Sequence, residues 1–276
     1  QGWHIDLYTE RGEPLPFKHN YPIHEITVYR TRSFAEWAVK SIASLLTDWR
    51  NRYFSRQVRR AIRGQQYDLV LCCTFSTFPL RAALDIARER RLPLHVDLRD
   101  IDEQAPNAQY QSHRQWWLRP LRRWYSNVNI RRRNKVLRQA DSLSCVSPWH
   151  QTFLQQLNNH VSLIYNGFDE QSYYPQNRPA KQFTLTYVGR VYEQPMQDPT
   201  LLLEALREIN LPLRVVWYTN DIGRQRIQQL AQQYGVEQLM DYRGYVPTQD
   251  VPNILRSASV LLVLSNTAAT SGAHGI

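Results

Sequence analysis

Short apolar runs recur along the chain, with amphipathic stretches between them. Strand-like runs cover residues 3–9, 23–30, 67–74, 94–98, 142–146 and 161–165, then 183–188, 213–218, 239–243 and 259–264. Two stretches, 69–73 and 260–264, are continuously apolar. Such runs predict strands covered on both faces, as in a parallel sheet. Helical spacing relates Leu201, Leu202, Ala205, Leu206 and Ile209, with Asp198 as the expected N-cap and Pro199 at the first helical position. Ser147 and Pro148 form the same pair before residues 149–157. Ile227, Leu230, Ala231 and Tyr234 line another face, and Gly235 is the expected stop. Strands alternating with helices predict a doubly wound α/β architecture. Residues 166–180 read as a turn followed by a polar, proline-bearing linker. The expected cut is near residue 178, giving domains 1–178 and 179–276.

Composition narrows this picture. The chain has 276 residues, of which 42% are apolar, enough to build a core. A chain this long hides roughly 75% of its unfolded surface. The longest apolar run, 260–264, falls far short of the ~20 residues of a membrane-crossing helix. No signal peptide is read at its start. Three cysteines, two of them adjacent (Cys72 and Cys73), predict neither a disulfide framework nor a paired zinc site. Both adjacent cysteines are expected in a buried strand, and the compartment is expected to be reducing and cytoplasmic. None of the ten glycines is spaced as Gly-x-Gly, so the dinucleotide fingerprint is absent. The P-loop and the Gly-x-Ser-x-Gly nucleophile elbow are absent too.

The net charge of +10 is one-sided. Residues 1–178 hold 26 basic and 16 acidic side chains, and residues 179–276 hold eight of each. Two halves of such different charge suggest two different ligands. Residues 104–140 carry nine Lys or Arg and no Asp or Glu, interleaved with Trp116, Trp117, Trp124 and Tyr125. Leu121, Trp124, Tyr125 and Val128 share one helical face, which Pro120 starts or kinks. Three readings compete. One is an ordinary amphipathic helix whose aromatics pack on a sheet. Another is contact with an anionic membrane surface through residues 113–138. The last is nucleic-acid binding, which no RRM, KH or helix-turn-helix pattern accompanies.

Candidate chemistry gathers at strand ends. The run 94–98 closes on Asp97 and Leu98 and is followed by Arg99 and Asp100, at the carboxyl edge where open α/β sheets bind ligands. An Arg beside a carboxylate there can hold an anion and orient a hydroxyl, or simply close a loop as a structural pair. The run 183–188 leads into Gly189 and Arg190. Gly permits close approach of a ligand, and Arg offers a fork of donors that suits phosphate. The last strand runs into a small-residue loop holding Ser265, Asn266, Gly272 and His274, whose amides can cradle a diphosphate. His95 reads as a satisfied core histidine, and His24, His113 and His150 have no metal-spaced partners.

Taken in order, these pieces resemble a known family. The segment 141–147 is similar to the "AD-x-hydrophobic-x-x-VS" stretch of GT-B glycosyltransferases. Asn166-Gly167-Phe168-Asp169 with Tyr174-Pro175 resembles their hinge, and Val188-Gly189-Arg190 the opening of their donor domain. Leu201 to Leu206 resembles the helix that follows. Tyr242-Arg243-Gly244-Tyr245-Val246 is similar to their "F-x-G-x-V" strand. The nearest likeness is to glycosyltransferase family 4, and Asp97-Leu98-Arg99-Asp100 resembles the "DxRD" branch found among capsule, O-antigen and lipopolysaccharide enzymes.

The resemblance implies two Rossmann-like domains facing a cleft. It implies sugar transfer, retaining and independent of metal and cofactor, from a UDP or GDP sugar to a saccharide or polyprenyl-linked acceptor. Asp100, Arg99 and Asp97 become catalytic candidates. Gly189, Arg190, Gly244, Tyr245, Val246, Ser265, Asn266, Gly272 and His274 become donor-binding candidates. A nucleic-acid partner is not expected, and the protein is placed in the cytoplasm, at the inner face of the membrane. Two other readings stay open: a nucleotide-sugar epimerase and a non-catalytic basic nucleic-acid-binding protein. The triplet Asp100-Ile101-Asp102 also spells the D-x-D metal site of the other large glycosyltransferase fold, against which the two-half organisation argues. Gly2 to Ile5 resembles a later strand of the family, and the E-x7-E segment is not reached. A chain trimmed at both ends is therefore the expectation.

Overall fold

In the computed structural model, the described residues are 2–10, 21–28, 33–74, 77–101, 119–176, 182–191, 198–209 and 211–264. They form two compact units, one within residues 1–165 and the other from Asn166 onward. Residues 169–176, upstream of the expected cut, pack with the second unit. Arg256 donates to the Ser172 carbonyl at 2.6 Å and stacks over Tyr174 at 4.5 Å.

The first unit contains β1 (Leu7–Glu10), β2 (Ile23–Ile26), α1 (Phe34–Thr47), α2 (Trp49–Ala61), β3 (Val70–Cys73) and α3 (Leu80–Arg90). After them come β4 (Leu94–Leu98), α4 (Arg119–Leu137), β5 (Ser142–Cys145), α5 (Pro148–Gln155) and β6 (Val161–Leu163). Strands β3 to β6 make a parallel sheet in sequence order, while β1 and β2 pair as a separate parallel ribbon. Between β1 and β3 lies an apolar cavity of about 160 Å³, lined also by Phe54, Val58 and Ile86. The strand expected from residue 3 begins at Leu7, where the register with Ile23 starts. Trp3 and Ile5 are exposed.

The larger of this unit's two core clusters lies on one face of the four-stranded sheet. Cys72, Leu94, Val96, Leu98, Leu143 and Cys145 pack against Leu80, Leu84, Leu137 and Leu154 from the helices. The apolar run 69–73 is not covered on both faces. Val70 and Cys72 turn to the core, while Leu71 is 63% exposed. Caps set the helix ends. Ser147 accepts the His150 amide to start α5, as expected. Asp48, in the left-handed region at φ 55°, ends α1 and starts α2. Helix α4 buries Arg133, Val136 and Leu137 near its end, while Trp124 and Tyr125 are about half exposed. Their rings therefore do not lie beneath the helix. Trp116 and Trp117 lie outside the described residues.

The second unit runs β7 (Phe183–Val188), α6 (Thr200–Glu208), β8 (Leu213–Tyr218), α7 (Asp221–Tyr234), β9 (Met240–Tyr242), α8 (Val251–Ser257) and β10 (Val260–Leu261). Its sheet is parallel, in the order β10-β7-β8-β9. Trp217, wholly buried at its centre, packs with Leu203, Leu206, Ile227 and Ala231 from α6 and α7. Helix α6 starts one residue later than expected, with Pro199 at the cap position. Asp198 still satisfies its first turn, accepting from the Thr200 amide at 3.1 Å. Gly235, at φ 67°, ends α7 as expected.

Candidate active site

The alternation along β4 places Leu94, Val96 and Leu98 in the core and His95 and Asp97 on the opposite face. Parallel register then lines up two rows on that face. One holds Leu71, His95 and Ser142, and the other Cys73, Asp97, Ser144 and Ser162. The rows are joined by hydrogen bonds. His95 Nδ1 lies 2.7 Å from Ser142 Oγ, and Nε2 lies 3.0 Å from Ser144 Oγ. The Ser144 hydroxyl donates to Asp97 Oδ1 at 2.6 Å. Cys73 Sγ and Arg99 Nε each approach Asp97 Oδ2 at 3.4 Å. Ser144 has one proton and gives it to Asp97, so it can only accept from His95. That places a His95 proton on Nε2.

Asp97 is thus a fixed carboxylate that positions Arg99, whose side chain is 61% exposed at the sheet edge. Asp100 is exposed. Burial pushes the imidazole of the fully buried His150 below its ordinary range, and the Asp100 charge pulls it back up. The adjacent cysteines do not share one environment. Cys72 is in the core, and burial pushes its thiol up to about 12. Cys73 is exposed beside Asp97; partial burial raises its thiol first, and the Asp97 carboxylate adds to this. Both were expected inside.

In the second unit, β7 runs into Gly189 and Arg190. The Gly189 amide bonds to the Tyr218 carbonyl at 3.0 Å. The Tyr187 hydroxyl donates to the Arg190 carbonyl at 2.8 Å. A Cβ at residue 189 would meet that hydroxyl at 3.1 Å, so any side chain there forces the Tyr187 ring to give way. Arg190 is exposed on this braced turn. Val191, buried beside it, faces the first turn of α7. A Cβ at Gly223 would lie 3.0 Å from Val191 Cβ and 2.7 Å from Thr219 Oγ1. Asn220 caps α7 by accepting the Gly223 amide at 3.1 Å. The helix start is thereby held against the Arg190 turn, where its dipole favours anions.

After β9 the chain turns through Gly244, at φ 74°, to Tyr245, which is 78% exposed, and half-buried Val246. Before the turn, Arg243 pairs with Asp241 at 2.7 Å. Ser265, Asn266, Gly272, His274 and Asp102 lie outside the described residues.

The sequence profile of Glycosyltransferase Family 4 matches residues 1–172. The chain belongs to this family. No curated protein matches it by sequence. Among solved structures, sucrose-phosphate synthase from Thermosynechococcus elongatus is 15% identical with a TM-score of 0.62, covering 94% of this chain and 65% of its own. Anabaena HepE in complex with UDP-glucose is 17% identical with a TM-score of 0.57, covering 90% and 62%. WaaG, a glycosyltransferase involved in lipopolysaccharide biosynthesis, is 13% identical with a TM-score of 0.55, covering 99% and 69%. These likenesses establish the GT-B fold. The chain spans less than two thirds of the length of the first two.

Sequence reasoning did not single out Ser142, Ser144, Asn220 or Gly223 as site residues. Their signals are present. Ser142 and Ser144 alternate as His95 and Asp97 do, and Asn220 precedes Gly223 by the spacing of an N-cap and its third helical residue.

Proposed function

We propose that this family 4 protein transfers a sugar from a nucleoside diphosphate sugar to a saccharide or polyprenyl-linked acceptor in surface polysaccharide synthesis. The observation that carries this is the Arg190 turn, braced by Tyr187 and set against the start of α7. The bond that breaks joins the sugar's anomeric carbon to a diphosphate oxygen, through an oxocarbenium-like transition state. Charge builds on the diphosphate, and in this reading Arg190 with the α7 amides stabilises it. Tyr245 offers an exposed ring for a nucleobase, next to Gly244 and Val246. Ser265, Asn266, Gly272 and His274 complete the donor loop in this reading.

The acceptor binds the first unit, where Asp97 holds Arg99 in place and Asp100 orients the acceptor hydroxyl. In a retaining reaction the leaving phosphate oxygen takes the acceptor proton, so Asp100 need not be a strong base. Neutralisation by Arg190 and backbone amides makes the reaction independent of metal and of any cofactor. The half-exposed Trp124 and Tyr125, on a helix rich in Arg, favour a surface contact with an anionic membrane through residues 113–138, at its cytoplasmic face. Among the described residues no helix is long and apolar enough to cross a membrane. HepE, solved with UDP-glucose, makes a uridine nucleotide the first to try.

The test is calorimetric titration of UDP, GDP, ADP and CMP into the full-length protein, with Arg190→Ala as control. Micromolar binding of one diphosphate, lost in the variant, is expected. Transfer in EDTA, with the product anomer read by NMR, checks metal independence and retention. Binding of a short RNA with no nucleotide bound would overturn the proposal. Donor consumption without an acceptor would favour an epimerase.

A further inference from the structure

Cations from three helices of the first unit converge on one polar cavity of about 290 Å³. They are Arg52 from α2, Arg81 from α3, and Arg132 and Lys135 from α4. Two carboxylates line the same cavity, and both are engaged. Asp85 pairs with Arg81 at 2.8 Å, and Asp48 accepts the Asn51 side-chain amide at 2.8 Å. Among the described residues Arg132 reaches only the Ser44 carbonyl, at 3.5 Å. Among the described residues no carboxylate pairs with Arg52, Arg132 or Lys135. Four cations against two carboxylates leave an excess of two positive charges in one depression, where they repel unless an anion enters. The first turn of α2 borders the cavity, and no side chain caps its amides, so the helix dipole adds to the positive potential. None of these residues belongs to the Asp97 row or to the Arg190 turn.

We propose that this cavity binds a phosphate or diphosphate group. Guanidinium forks suit a tetrahedral oxyanion, and a doubly charged group matches the excess. The volume lies at the small end of the ~300–1,000 Å³ of ligand pockets. It fits a headgroup rather than a whole nucleotide sugar. The site stands apart from the proposed transfer reaction and does not depend on it. The phosphate is that of a lipid headgroup or of a soluble phosphate compound, and the two are separable by experiment.

Inorganic pyrophosphate is titrated calorimetrically into the full-length protein, with saturating UDP present to occupy any donor site. Saturable 1:1 binding is expected, about tenfold weaker in Arg52→Gln and in Arg132→Gln, and about a hundredfold weaker in the double variant. Asp85→Asn releases Arg81 and should tighten binding several-fold. This opposite sign distinguishes a site from general loss of fold, which urea unfolding checks in parallel. No saturable binding at millimolar pyrophosphate overturns the proposal. Unchanged affinity in the double variant, or weaker binding in Asp85→Asn, does so too. Vesicles of phosphatidylcholine with and without phosphatidic acid identify the source. Pyrophosphate that releases protein from the phosphatidic acid vesicles marks a lipid headgroup. Pyrophosphate binding without such competition marks a soluble phosphate.

Discussion

Adding one methyl group at residue 189 probes the turn on which Arg190 sits. Tyr187 is 6% exposed, and its hydroxyl donates to the Arg190 carbonyl at 2.8 Å. A Cβ at 189 would lie 3.1 Å from that hydroxyl oxygen and 3.3 Å from Cζ of the same ring. Both distances are shorter than ordinary contact, so the ring must withdraw and give up its bond, or the turn must move. The lost hydrogen bond is worth about 1 kcal/mol. Overpacking adds about 1–3 kcal/mol. Gly189→Ala should therefore destabilise the second unit by about 2–4 kcal/mol. Tyr187→Phe costs about 1 kcal/mol for the same bond but removes the oxygen that the new methyl strikes. The double variant should then be more stable than the sum of the singles predicts, by about 1 kcal/mol. Urea unfolding, followed through hydrogen exchange of the β7 and β8 amides, reads the cycle, and UDP affinity is measured in the same proteins. Additivity within about 0.3–0.5 kcal/mol would refute the brace. UDP affinity untouched by Gly189→Ala would refute the placement of the donor phosphates at this turn.

Ser144→Ala removes the hydroxyl that donates to Asp97 and accepts from His95, so kcat should fall about tenfold with little change in donor KM; an unchanged kcat separates the row from the chemistry. His150 is held below its ordinary value of 6.5, so it stabilises the fold above that pH, and this contribution is lost as pH falls through 6.5 and below. His150→Gln should flatten the acid limb of a stability-versus-pH curve, and an unaltered limb would contradict this. Cys72 has the opposite sign: its folded pKa rises from 9.0 to about 12, so its contribution is whole below pH 9 and is lost as pH climbs toward 12. At pH 8 iodoacetamide should modify Cys73 slowly and leave Cys72 untouched until unfolding, as mass spectrometry of the peptides would show.

Much of the fold was legible in sequence because its signals are local. The Ser147-Pro148 start and the Gly235 stop are local geometry, and both hold in the structure. Strand cores at 94–98 and 183–188 held because their apolar residues have one place to go. Other features depend on partners far away in sequence. Whether residues 3–6 extend a strand depends on where Ile23 pairs, not on their own apolar content. The run 69–73 has no alternation to separate its faces, so only packing could decide that Cys72 enters the core and Cys73 meets Asp97. The row from Cys73 to Ser162 joins four strands whose register no local pattern fixes. The basic cavity likewise gathers cations from three helices distant in sequence.

By itself, the sequence determined the parallel α/β organisation, the segregation of positive charge and the strand-end positions of Asp97 and Arg190, because periodicity and composition act over a few residues. Tertiary structure alone decided which hydroxyls hold Asp97, what a side chain at position 189 would strike and where the basic side chains of three helices meet. Those outcomes depend on distances between segments that only the folded chain brings together.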